Sequence, residues 1–142
     1  YYKTGWGEAY RSGEVILSDR YVSSNLIHQC AKLPHEERKP YIDWLYDFEY
    51  HKMGSPRPDA VFYLDVPPRI TGALMSGRYE GDESKKDIHE RNQEYLYRCY
   101  EMGIYCCEIL GFYLIPCLDE SGAMLSKETI SDAIFRQIQL ML

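Results

Sequence analysis

A short apolar run, Val15-Ile16-Leu17-Ser18, stops abruptly at the charged pair Asp19-Arg20, and Tyr21 leads at once into a polar helix start around Ser23-Ser24-Asn25. An apolar run of this length, ended by charge, reads as a buried parallel strand whose carboxyl end opens onto a crevice. Ligands of open α/β sheets bind in such crevices. A carboxylate and a guanidinium are costly to bury, so packing alone is a poor reason for them. Asp suits a divalent metal or its water, and Arg suits a two-point grip on phosphate. The plainer alternative is an ion pair that caps a helix or ties two elements together. Placement directly behind a strand favours the ligand-binding reading, and with it chemistry on a phosphate group.

Hydrophobic spacing sets out the rest of the chain as alternating strands and helices. Residues 6–10 are expected to finish a helix that Arg11-Ser12-Gly13 stops, and residues 14–18 to form the first strand. Ser23 or Ser24 can cap a helix through Leu26, Ile27 and Cys30 to about Leu33. After a charged break at 34–40, Pro40 suits the first turn of another helix, with Tyr41, Trp44, Leu45 and Phe48 as its buried stripe. On that reading Trp44 is a core residue. Residues 54–59 are a loop, 60–66 a second buried strand halted by Pro67-Pro68, and a short helix to about Met75 follows. Residues 76–86, rich in glycine and charge, are expected to be an exposed, mobile segment, about where a lid would lie. Asp87 and Glu90 resemble a capping box for a long helix burying Ile88, Tyr95, Cys99, Met102, Cys106 and Leu110, and Gly111 ends it. A third strand spans 112–116, and Ser126 caps a last helix with Ile130, Ile134 and Ile138 on one face. The pattern predicts one α/β domain over residues 1–142, with a parallel sheet flanked by helices.

Bulk properties narrow the function. At 142 residues, 45% hydrophobic and 27% charged, the chain suits one soluble globular domain. A net charge of −6 argues against a nucleic-acid partner, which needs a basic stripe. No apolar run is long enough to span a bilayer, so no membrane partner is expected. Five cysteines without CxxC or zinc-like spacing suit a reducing, cytoplasmic setting. Tyr1-Tyr2-Lys3-Thr4-Gly5-Trp6 reads like the middle of a helix, from which we expect the chain to be part of a longer polypeptide.

Further groups carry possible chemistry. Asn25, His28 and Gln29 share one helix face, three and four residues apart, and offer the donors and acceptors that a base edge needs. Taken alone, a solvated polar face is the better reading; it gains interest from lying just beyond Arg20, with Ser24 beside it. Arg78, Lys85 and Lys86 in the 76–86 segment can close over phosphates, although composition alone favours a solvated loop. Asp65 is equally a turn former before Pro-Pro and a metal-positioning carboxylate. The other histidines read as surface residues. There is no GxxxxGK[ST] phosphate cradle, no nucleophile elbow and no HExxH.

These motifs together resemble the thymidylate kinase family. The resemblance is carried by Asp19-Arg20-Tyr21, by Ser23-Ser24-Asn25-Leu26-Ile27-His28-Gln29, by Pro58-Asp59-Ala60-Val61-Phe62-Tyr63-Leu64-Asp65-Val66-Pro67-Pro68, and by Gly81-Asp82-Glu83-Ser84-Lys85-Lys86-Asp87-Ile88-His89-Glu90. It covers nearly the whole chain in order. It implies a three-layer, P-loop nucleotide-kinase-like fold, a homodimer, and transfer of the γ-phosphoryl of ATP, with Mg2+, to dTMP. Arg20 would hold the dTMP phosphate, Asp19 would act as catalytic residue at the metal or its water, and Ser24, Asn25 and Gln29 would lie beside the acceptor nucleotide. His28 stands where many members place a Tyr near the sugar. Tyr79 resembles a lid Tyr near the acceptor, and Arg78, Lys85 and Lys86 the lid's phosphate contacts. Lys replaces the Arg common in bacterial members and has no fork geometry.

The family's P-loop and amino-terminal strands would precede Tyr1. Its first strand normally lies between the strands expected at 14–18 and 60–66, so without it a gap of ~10 Å would separate them. We therefore expect neither a stable monomer nor kinase activity from these residues by themselves. Two alternatives stay open: another nucleoside or nucleotide kinase of the same fold, and a catalytically inactive nucleotide- or partner-binding fragment.

Overall fold

The computed structural model describes residues 2–72 and 93–141, which fall into two compact units, Tyr1–Pro58 and Asp59–Leu142. The expected lid and its capping box lie outside the described residues.

In the first unit, α1 (Gly7–Arg11) is followed by Gly13 at φ 88°, the left-handed conformation that lets a chain leave a helix. Residues 14–18 run on without pairing into any strand, which corrects the expected first strand. Val15 and Leu17 are 77% and 86% exposed. An extended segment becomes a strand only when a neighbour takes its N–H and C=O groups, and no described segment does so here.

Helix α2 (Val22–Cys30) begins two or three residues earlier than its serines suggest. Tyr21, in extended geometry, is the N-cap, and no side chain caps the helix. α3 (His35–Tyr46) starts after Pro34, so Pro40 lies inside it rather than in its first turn. The acidic pair Glu36-Glu37 suits the positive end of the helix dipole, and Lys39 bridges to Asp43 one turn on, at 2.7 Å. These local gains favour starting the helix early although Pro40 offers no N–H to the carbonyl four residues back. α3 continues as a π-helix over Asp47–Lys52. Its wider turn brings Lys52 to 2.8 Å from Asp47, with His51 at 3.4 Å. The hydrogen bond from Lys52 is the main reason the Asp47 carboxyl sits below its ordinary range.

α2 packs on α3, and the buried residues of the pair are Val22, Leu26, Cys30, Ala31, Ile42 and Leu45. The apolar stripe therefore turns about the α3 axis relative to expectation. Leu45 is core as foreseen, but Trp44 is 51% and Phe48 37% exposed. The aromatics satisfy one another instead, Trp44 lying parallel to Phe48 at 5.5 Å and tilted to Tyr41 at 5.4 Å.

The second unit is α/β. β1 (Phe62–Asp65) and β2 (Tyr113–Pro116) pair in parallel, in register Phe62↔Tyr113 to Asp65↔Pro116. They are the inner parts of the strands expected at 60–66 and 112–116. Between them come helical residues 68–72 and the long α4 (Gln93–Leu110), which packs on both strands. Tyr95, Cys99, Met102 and Cys106 form its buried stripe, as their spacing predicts, while Leu110 is half-buried. Gly111, at φ 71°, then ends the helix. α5 (Lys127–Gln139) is capped by the Ser126 hydroxyl, which accepts from the Thr129 N–H at 3.1 Å, and packs on β2 with Ile130, Ile134 and Ile138 half-buried.

One close approach sets how β1 meets α4. The Tyr63 ring lies on Gly103, where an added Cβ would overlap its Cζ, Cε2 and hydroxyl. Tyr63 also donates to the Tyr100 carbonyl at 3.4 Å. Gly103→Ala is therefore expected to destabilise the protein by about 1–3 kcal/mol, the scale of overpacking, despite alanine's better helix propensity. Denaturant unfolding checks this. The packing account fails if the alanine variant is as stable as wild type, or if Tyr63→Leu does not relieve its penalty.

Candidate functional site

The feature that organises the first unit's surface is the turn between the extended segment and α2. Arg20 adopts φ 68°, the one non-glycine residue with positive φ among those described. For an L-residue that conformation costs about 1–2 kcal/mol, and such strain gathers at functional sites. The turn is held from within, since the Ser18 hydroxyl donates to the Arg20 carbonyl at 2.7 Å. It is held from outside by Tyr21, whose hydroxyl donates to the Pro56 carbonyl at 3.1 Å. Burial pushes that hydroxyl above its ordinary pKa, against a smaller opposite effect from a hydrogen bond with Ser55.

Asp19 and Arg20 line an open cleft of about 500 Å³ with Ser18, Tyr21, Trp6 and Ser55. That volume is within the usual range for small-molecule sites. One wall is aromatic: the Trp6 ring lies 4.9 Å from Tyr2, 6.0 Å from Tyr10 and 6.2 Å, edge-on, from Tyr21. Gly7, next to Trp6, donates its N–H to the Tyr2 carbonyl at 2.9 Å, and a Cβ at Gly7 would overlap that oxygen. A carboxylate, a guanidinium, hydroxyls and flat rings in one cleft can take a phosphorylated molecule with a planar group.

Of the residues singled out in the sequence, Asp19 and Arg20 are on this cleft. Ser24, Asn25, His28 and Gln29 follow on α2, where Asn25 is exposed and the other three are half-buried; none of the four is among the cleft-lining residues. Arg78, Tyr79, Lys85 and Lys86 lie outside the described residues. Asp65, in the second unit, accepts the Tyr100 hydroxyl at 2.9 Å. Burial first, and that bond second, push the Tyr100 hydroxyl up. The described residues contain no group of three side chains suited to hold a metal, and no helix among them is long and apolar enough to cross a membrane.

Three contributors to the cleft were missed: Tyr2, Trp6 and Ser55. Tyr2 and Trp6 stand four residues apart, a helical spacing visible in the sequence. Ser55 carries no such signal; only chain reversal after the π-helix brings it to the cleft.

The second unit, with α4 packed on the parallel pair β1–β2, is of the α/β class. A family model described as thymidylate kinase matches residues 4–109, and the chain belongs to that family. It is 31% identical over 85 residues to the thymidylate kinase of Mycobacterium tuberculosis (strain ATCC 25618 / H37Rv), covering 59% of this chain and 40% of that protein. It is 32% identical over 96 residues to a probable thymidylate kinase of Thermococcus gammatolerans, covering 66% and 42%. A probable thymidylate kinase of Pyrobaculum aerophilum is 30% identical over 105 residues, 72% of this chain and 50% of that protein. The chain thus spans roughly half or less of the length of these relatives. No solved structure matches it significantly.

Proposed function

We propose that this protein transfers the γ-phosphoryl group of ATP to dTMP, giving dTDP for dTTP synthesis. The observation that carries the reading is the Asp19-Arg20 pair, presented on a cleft by a backbone held in a left-handed turn. Family membership and the relatives' names support the same activity. The reading makes residues 1–142 one partial domain of a three-layer P-loop kinase fold, without the amino-terminal strands and the phosphate cradle and with a lid near 76–86, and brings with it a homodimer and a cytoplasmic setting.

Arg20 binds the acceptor phosphate through its guanidinium fork and holds it in line for transfer. Its fixed backbone means that little reorganisation is needed as charge develops. The Asp19 carboxylate fits Mg2+, which takes one or two protein carboxylates and completes its shell with phosphates and water. Asp19 would hold the ion there, and its positive charge would offset the negative charge of the phosphoryl oxygens. Ser24, Asn25, His28 and Gln29 orient the acceptor nucleotide from α2, and Tyr79 meets it from the lid. Arg78, Lys85 and Lys86 serve the donor phosphates. Catalysis on this account is positioning and charge neutralisation, without a covalent enzyme intermediate.

His28, at a position where many members have Tyr, favours a second reading in which another nucleotide is the acceptor. ADP release by the intact protein, measured with dTMP, dUMP, UMP and thymidine, separates the two. We expect dTMP to be preferred at least tenfold. Preference for another acceptor replaces dTMP in the reading, and no acceptor-dependent ADP release leaves a binding protein without transferase activity.

A further inference from the structure

Residues 53–58 approach the cleft as a loop tied down at three points. The Ser55 N–H donates to the Glu49 carbonyl at 3.0 Å, and the Pro56 carbonyl accepts from Tyr21. The Arg57 guanidinium lies over two tyrosine rings of the α3 end, 5.5 Å from the Tyr46 centroid and 5.1 Å from that of Tyr50. Those two rings meet edge-to-face at 5.2 Å, so the cation sits against a preformed aromatic pair. Arg57 forms no part of the cleft lining, whereas its neighbour Ser55 does. The hydroxyl held by this loop belongs to Tyr21, which directly follows the strained Arg20.

From this geometry we infer that Arg57 is a positioning residue: clamped on Tyr46 and Tyr50, it holds the Ser55-Pro56 loop in place, and through the Tyr21 hydroxyl it fixes the Arg20 turn that grips the acceptor phosphate. The inference rests on the transfer reading above. A cation over aromatic rings is worth only about 0.5–1 kcal/mol at an exposed site, so the clamp is a small lever on stability. Its effect on Arg20 is geometric, and reactions that depend on alignment respond strongly to small displacements. Because Arg20 is assigned to the acceptor, loss of the clamp acts on the acceptor side and spares the donor side.

Steady-state kinetics of the intact protein tests this with Arg57→Ala and Arg57→Lys. Arg57→Ala is expected to raise KM for dTMP about fivefold, leave KM for ATP within twofold of wild type, and keep the far-UV circular dichroism of wild type. Arg57→Lys, which keeps a cation for the rings, is expected to restore most of the loss. A general loosening of the fold would move both KM values together, and that outcome overturns the inference. So does an active wild type whose alanine variant is kinetically unchanged, or a lysine variant no better than alanine. If wild type itself shows no dTMP-dependent turnover, the transfer reading fails and this inference with it. Should Arg57→Ala not fold, Tyr50→Leu, which removes one ring of the clamp, is measured instead: the same selective rise supports the inference, and unchanged kinetics overturn it.

Discussion

Arg20→Ala is expected to lower dTMP-dependent turnover by about 10²–10³-fold, the scale of a lost transition-state donor. The methyl group keeps neither the charge nor the two parallel N–H donors that a phosphate receives from a guanidinium. Arg20→Lys restores charge without the fork and is expected to recover only part of the loss. The backbone makes a second arm available. Since Arg20 holds φ 68°, Arg20→Gly removes the side chain and relieves the left-handed strain at once. Glycine there is expected to match or raise wild-type stability, by up to about 1 kcal/mol, while activity collapses as in the alanine variant. That opposition is the signature of strain kept for function. An alanine variant within tenfold of wild-type turnover would falsify the assigned role.

The second large effect is on folding. Leu45→Ala is expected to cost about 2–5 kcal/mol, because Leu45 is 1% exposed in the α2–α3 core and its removal leaves a cavity. Trp44, its immediate neighbour, is larger and more hydrophobic, yet Trp44→Ala should cost only about 1 kcal/mol. Half of its surface faces solvent, and what is lost is ring contact with Phe48 and Tyr41. Chemical denaturation of the two variants checks the order. If Trp44→Ala proves the more damaging, then α3 is turned otherwise in solution, or another surface covers Trp44.

Much of the architecture is legible in the residue order. Tyr95, Cys99, Met102 and Cys106 are spaced for one helical face, and they are buried along α4. Gly111 after the last apolar residue and Ser126 ahead of the last helix mark their ends by local backbone chemistry, which needs no distant partner. Trp44 and Phe48 show where local spacing falls short. Ile42 and Leu45 on one side compete with Tyr41, Trp44 and Phe48 on the other, and pattern alone cannot say which stripe meets α2. Residues 14–18 fail as a strand for a related reason. Apolar content suggests a strand, but hydrogen bonds to a neighbour make one, and those partners are not local.

The candidate site divides along the same line. An acid and a guanidinium straight after an apolar run mark Asp19 and Arg20 in the sequence, but the packing reason does not carry over, since both lie exposed beyond an unpaired segment; their place on the cleft is what remains. The left-handed turn at Arg20, the carbonyl of Pro56 that receives the Tyr21 hydroxyl, and the arrival of Ser55 and the aromatic wall at one cleft came only with the folded chain. Short-range propensities act over a few residues and can be read in order along the sequence. Which surfaces converge depends on how α3 turns into its π-helical end and sends the chain back, a decision taken by packing across some 35 residues.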